Sequence, residues 1–335
     1  MERGNWTAAS MPDLSGRVVV VTGANSGLGL EATRAFAGAG ATVVMACRSV
    51  DRGADARREV LDERPDASLA VEELDLAALD SVRSFADRFE AEYDDLHLLC
   101  NNAGVMAIPR RETADGFETQ FGVNHLGHFA LTGLLLPRLV ETDGEARVVT
   151  QSSGLHERGE MDFEDLHGER SYDKWDAYAQ SKLANVLFAY ELDRRLEAAG
   201  VADVASVACH PGYAATNLQY RGPEAEGSRL RKAMMRVANA VFAQSAERGA
   251  LPMLYAATAP GIGGGEYVGP GGLLDMRGHP ELQRSSDRSY DRETARRLWT
   301  VSEKLTGVTY PFEEGGTTAA ASTEAETEGG DDATA

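Results

Sequence analysis

Arg17-Val-Val-Val-Val-Thr22, running straight into Gly23-Ala-Asn-Ser-Gly27-Leu-Gly29, is the stretch whose reading decides the fold. Four successive β-branched apolar residues predict a strand buried on both faces, the pattern of a central strand in a parallel sheet. Leu28 to Ala37 then carries helical spacing, with Leu28, Ala32 and Phe36 on one face. Strand, glycine turn and helix N-terminus together make a phosphate site, because backbone N–H groups converge where no Cβ blocks an anion. Gly23, Asn25, Ser26, Gly27, Leu28 and Gly29 are therefore the candidate dinucleotide-binding turn. The spacing is Thr-Gly-x-x-x-Gly-x-Gly rather than the commoner G-x-G-x-x-G. A glycine-rich surface turn is the competing reading, and the flanking strand and helix argue against it.

Outward from this turn the chain alternates. Strands are expected at 17–22, 41–47, 69–74, 96–100, 146–151 and 204–209. Helices are expected from 28 to about 39, at 51–62, 79–93, about 114–142 and 174–199. Such alternation predicts right-handed βαβ units and a doubly wound parallel α/β sheet of Rossmann type, with ligands at the C-terminal ends of the strands. A chain of 335 residues, 43% hydrophobic, suffices for one large core. One domain is expected over 1–312. Residues 313–335 hold seven carboxylates and no base or large apolar group, so an acidic disordered tail is expected there.

The net charge is −20, and only four of 33 basic residues are lysine: Lys174, Lys182, Lys232 and Lys304. No basic face is evident, which disfavours a nucleic-acid partner. An acidic, lysine-poor composition suits concentrated salt, where screening removes self-repulsion, so a halophilic setting is expected. Cys47, Cys100 and Cys209 each close an apolar run and form no C-x-x-C, which predicts small buried residues in a reducing compartment. No metal site is indicated. The N-terminus has no basic-then-apolar signal pattern, and the longest apolar region, 129–140, is too short to span a bilayer. A soluble, cytoplasmic protein without a membrane partner is the expectation.

Chemistry is expected at the strand ends. Arg48 follows the second strand about twenty residues beyond the glycine turn, and no acid lies at 45–48. A carboxylate there would accept from a ribose 2′-OH, whereas an arginine pairs a 2′-phosphate, so NADP is favoured over NAD. The alternative for Arg48 is an ordinary surface arginine. Asp75, with Leu76 beside it, could accept from the adenine amino group or simply cap a loop. On the helix after strand five, Tyr178 and Lys182 share a face at a spacing of four. A phenol titrates near 10, and a neighbouring ammonium is expected to lower that value. Strand five ends in Gln151-Ser-Ser153, which offers a hydroxyl at the sheet edge.

Thr22-Gly23…Gly27-Leu28-Gly29, Asn101-Asn-Ala-Gly104, Asn124 in Val-Asn-His-Leu-Gly-His-Phe, Ser153, Tyr178-x-x-x-Lys182 and Pro211-Gly212…Thr216 occur in one order. From about Pro12 to Phe312 the chain resembles the short-chain dehydrogenase/reductase family. Ala46-Cys-Arg48, Thr113-Ala-Asp-Gly-Phe-Glu118 and Ser181-Lys-Leu-Ala-Asn-Val-Leu-Phe188 are similar to its retinol dehydrogenase and protochlorophyllide reductase-like branch. The resemblance implies a hydride transfer between a nicotinamide and a carbonyl or alcohol carbon of a small molecule. Tyr178 would be the general acid/base. Lys182 would hold the nicotinamide ribose and lower the phenol's pKa, Ser153 would hydrogen-bond the oxyanion, and Asn124 would fix a relay water. Ser153 is preferred to Ser152 because the family's serine is usually the second of such a pair. Asn102, Ala103, Gly104, Pro211, Gly212 and Thr216 would contact the cofactor. The family's substrate lid would fall at about 213–245, where Met234, Met235, Val237, Val241 and Phe242 give an apolar face. That face fits an apolar substrate, with a homo-oligomer interface or the core as the alternative.

Other classes fail on pattern. His125 and His128 lack a third ligand and read as packing residues. No G-x-S-x-G elbow occurs, and none of the four lysines follows a glycine as a P-loop requires. A non-catalytic, dinucleotide-sensing regulator on the same fold is the remaining alternative to an enzyme.

Overall fold

The computed structural model describes residues 5–212, 245–272 and 275–312. The valine run becomes β1 (Val18–Thr22), and its alternation serves two cores at once. Val19 and Val21 face one layer with Phe36, Met45, Val207 and Leu254. Val20 faces the other with Val44, Leu99, Phe129 and Val148. A strand buried on both sides has no polar face to offer, which is why the sequence reads as unbroken valine.

β2 (Thr42–Cys47), β3 (Leu69–Glu73), β4 (Leu98–Asn101), β5 (Ala146–Gln151) and β6 (Val204–Cys209) follow. With β7 (Tyr267–Pro270) and β8 (Pro280–Gln283) they form an eight-stranded sheet in the order β3-β2-β1-β4-β5-β6-β7-β8. Every pairing is parallel except β7 with β8. The order reverses direction between β1 and β4, the switch point at which such sheets bind ligands. The α-helices among the described residues are α1 (Gly27–Gly38), α2 (Val50–Glu63), α3 (Leu79–Glu92), α4 (Thr119–Phe121), α5 (Gly127–Glu141), α6 (Lys174–Ala198), α7 (Ala246–Thr258) and α8 (Arg292–Thr306).

Two expectations need correction. The helix expected over 114–142 begins only at Thr119, because Gly116 turns the chain at φ +81° and Glu118 caps α4 by accepting from the N–H of Gln120 and Phe121. A π turn, Gly122–Leu126, then joins α4 to α5. The alternation legible in sequence also stops at strand six, yet β7, β8, α7 and α8 complete the layers. β7 is a four-residue Tyr-Val-Gly-Pro segment, too short and too glycine-rich to show a period. Thr216 and the lid expected at about 213–245, apart from Ser245, lie outside the described residues, as does the tail at 313–335. Cys47, Cys100 and Cys209 are buried and unpaired.

Candidate active site

The glycine turn lies between β1 and α1, with Gly23 at φ +67° and Gly27 at φ +57°. Ser26 precedes α1 but makes no side-chain cap, so the first-turn N–H groups are left for a ligand. Asn102 closes the far wall: its side chain donates to Thr22 O at 2.8 Å. Thr22 Oγ1 accepts from the N–H of Asn102 and Ala103, each at 2.9 Å. Gly23, Asn25, Ser26, Gly27, Leu28, Gly29, Arg48, Asp75, Leu76, Asn102, Ala103 and Gly104 all line one cleft of about 180 Å³. Asp75 is half-buried and turns its Oδ1 onto the N–H of Ala77, so it shapes its loop as well as lining the cleft.

At the β2 end stand two guanidiniums, not one. Arg48 and Arg52 are both exposed, both line the cleft, and neither forms an ion pair among the described residues. Sequence reading missed Arg52, because only the placement of α2 against the sheet brings it to the cleft. The donor set fits a dinucleotide. It combines an uncapped helix N-terminus, a wall where a Cβ on Gly29 would sit 2.5 Å from Gly23 O, and beyond it two guanidiniums unpaired among the described residues.

Leu28, Asn102 and Gly104 also border a second cleft, of about 460 Å³. Ser153, Tyr178, Lys182, Pro211 and Gly212 line it, together with Met106, Leu155, Trp175 and Met276. Tyr178 is buried on α6 and lines the cleft together with Ser153, whose Oγ accepts from Leu155 N at 3.3 Å. Ser152 points elsewhere, donating to Lys182 O at 2.8 Å. Lys182 is buried one turn beyond Tyr178, and its Nζ lies 5.8 Å from the tyrosine ring centroid and donates to Gln151 O at 3.0 Å. Asn124 sits in the π turn, an irregularity frequent at functional sites. Its amide is fully engaged: Oδ1 accepts from Val105 N at 2.8 Å, and Nδ2 donates to Val105 O and Ser181 Oγ, each at 2.9 Å.

The expected lowering of the phenol by its lysine does not appear. Burial pushes Tyr178 up to about 12, and the nearby Ser153 hydroxyl only opposes that rise. Burial likewise pulls Lys182 down to about 8. Desolvation penalises phenolate and ammonium alike, and it is the largest cause at both residues.

His128 and His125 are buried packing residues, the reading preferred in sequence over a metal pair. His128 Nδ1 faces the carbonyl of Asn124 at 3.1 Å and so carries the proton. Its Nε2 then accepts from Thr22 Oγ1 at 2.9 Å. This neutral ring ties the asparagine turn to the end of β1. Burial holds His125 down to about 3 and His128 to about 4. His97, His156, His167 and His210 shift the same way, also chiefly by burial. Their folded values lie below the usual 6.5, so the unfolded chain takes up protons first. Stability is therefore full above about pH 6.5 and falls on acidification. Denaturant midpoints should already drop between about pH 6.5 and 5, above the range in which ordinary carboxylates titrate. A flat midpoint over that interval would contradict the neutral-histidine assignment.

Comparison with known proteins agrees with this geometry. The family model described as short chain dehydrogenase matches residues 17–226. Human retinol dehydrogenase 12 is 42% identical over 299 residues, covering 88% of each chain. Mouse polyprenol dehydrogenase is 43% identical over 308 residues, covering 91% of this chain and 88% of its own. Among solved structures, an uncharacterised protein from Mycobacterium paratuberculosis superimposes with a TM-score of 0.75 at 44% identity, covering 91% of this chain and 99% of that one. A Rossmann-type sheet with a glycine turn at its switch point, the family match and these relatives lead to one conclusion: the chain belongs to the short-chain dehydrogenase/reductase family, in its retinol dehydrogenase-like branch, and is an oxidoreductase acting on CH–OH and C=O groups.

Proposed function

We propose that the protein is an NADP-dependent oxidoreductase of apolar aldehydes and alcohols, with Tyr178 as general acid/base. The observation that carries the proposal is that Ser153, Tyr178 and Lys182 line one cleft, which shares Leu28, Asn102 and Gly104 with the dinucleotide cleft. A bound nicotinamide would supply the hydride or take it up. In the reducing direction Tyr178 gives its proton to the carbonyl oxygen while Ser153 donates a hydrogen bond to the same oxygen. Oxidation reverses both. Preorganised donation of this kind is worth a few kcal/mol in the transition state. Lys182 and Asn124 hold the polar floor on which these groups stand.

Met106, Leu155, Trp175 and Met276 give the cleft its apolar wall. Retinol and polyprenol, named for two relatives, are both isoprenoid alcohols, which supports a substrate of that apolar character.

Cofactor preference rests on Arg48 and Arg52, and titration of NADPH and NADH tests it. A charge-assisted hydrogen bond contributes about 1.5–3 kcal/mol. Arg48→Ala should therefore weaken NADPH roughly tenfold and the Arg48→Ala/Arg52→Ala variant roughly a hundredfold, with NADH unchanged. Tighter NADH binding by wild type would overturn the preference. The proposal extends to a cytoplasmic setting in concentrated salt, supported by the net charge of −20. Tm should rise with KCl, and a maximum at low salt would reject that setting.

A further inference from the structure

Among the described residues, two residues other than glycine adopt a left-handed backbone, Ala107 at φ +49° and Asp275 at φ +53°. For alanine this conformation is strained, and it persists only where the surroundings impose it. What imposes it at Ala107 is a row of side chains standing in for a neighbouring strand. Asn124 takes both the N–H and the C=O of Val105. One turn earlier on the same helical face, Gln120 Oε1 accepts from Ala107 N at 2.7 Å. The Tyr172 hydroxyl reaches Ile108 O at 3.0 Å. Gln120 is wholly buried, and its Nε2 donates to Tyr172 Oη at 2.8 Å and to Lys174 O at 2.9 Å.

One amide thus joins three segments: the loop after β4, the insert that carries Tyr172, and the first turn of α6, whose next turn carries Tyr178. Val105 borders the dinucleotide cleft, whereas Met106, clamped between the two amides, borders the other cleft beside Trp175. The clamp therefore acts on the wall between the sites.

We propose that Gln120 is a positioning residue which, through the strained backbone at Ala107, fixes Met106 as the wall that sets substrate selectivity. The inference rests on reading the Met106 cleft as the substrate site. It makes Met106 the side chain that substrates of different length and width meet, and Gln120 the group that decides where it stands.

The test uses the full chain with Gln120→Met, which keeps volume but removes the hydrogen bonds, together with Met106→Ala and Ala107→Gly. Glycine adopts the left-handed backbone without strain, so Ala107→Gly keeps the fold while freeing the loop should Gln120→Met fail to fold. Three readouts are needed: NADPH affinity, kcat and KM for straight-chain aldehydes from butanal to dodecanal, and amide hydrogen exchange over 105–108. We expect KM for the long aldehydes to change about tenfold in all three variants, with kcat and NADPH affinity within about twofold. Exchange at Ala107 should accelerate in Gln120→Met and Ala107→Gly. A proportional loss of kcat, KM and NADPH affinity, or an unchanged chain-length preference, would overturn the inference. If wild type turns over no aldehyde and no alcohol, the proposed function fails separately. The exchange readout then decides the clamp, with acceleration upholding it and unchanged protection overturning it.

Discussion

Tyr178→Phe should lower kcat for carbonyl reduction by roughly a thousandfold, the usual size of a positioned proton donor's contribution. NADPH affinity should stay within about twofold, since the ring is kept and only the hydroxyl is lost. The reasoning is geometric. Tyr178 is buried and, with Ser153, lines the cleft that meets the dinucleotide site. Burial holds its proton with a pKa of about 12, so at neutral pH the residue stands as the acid and suits reduction first. Stopped-flow reduction of an apolar aldehyde, read beside an NADPH titration, measures both quantities. A variant that retained more than about a tenth of wild-type kcat would show that Tyr178 is not the proton donor.

Gly29→Ala should strongly weaken cofactor binding. Its Cβ would lie 2.5 Å from Gly23 O and 2.6 Å from Asn102 Nδ2. Neither atom can retreat cheaply. Gly23 O is backbone in a left-handed turn, and Asn102 Nδ2 is held by Thr22 O at 2.8 Å. Overpacking of this kind costs about 1–3 kcal/mol, and relief must come from moving α1 away from β1. That movement opens the anion site, so NADPH affinity should fall at least about tenfold while Tm drops by a few degrees. Gly263→Ala is the control: nothing lies within 4 Å of a Cβ there, and stability should be unchanged. Wild-type NADPH affinity in Gly29→Ala would remove the glycine turn from the binding site.

Legibility followed how local each determinant is. The alternation of strands and helices up to β6 could be read because each parallel strand is a dense apolar run closed by a turn signal. The helix start at Thr119 could not, because it depends on Glu118 folding back to cap it. Arg48 was legible from its distance to the glycine turn. Arg52 was not, since only the placement of α2 against the sheet brings it to the same cleft. Gln120 carried no motif of its own. Its role emerges from three partners that are distant in sequence, at Ala107, Tyr172 and Lys174.

From the sequence alone came the layered α/β class, the dinucleotide turn, and the identity of the serine, tyrosine, lysine and asparagine that carry the proposed chemistry. Periodicity and glycine spacing are enough for the class and the turn, because they are local properties of a strand or a turn, whereas the serine and asparagine and the roles of all four came through the resemblance to the short-chain dehydrogenase/reductase family. Only the tertiary structure decided the balance of charge at the site. The sequence puts Lys182 one turn from Tyr178 and so predicts a lowered phenol. Burial decides otherwise, because desolvation depends on every layer packed above the pair rather than on the spacing between them. The same holds for the strained loop at Ala107, since no local preference selects that backbone and the network that imposes it exists only once α4, the insert and α6 have met.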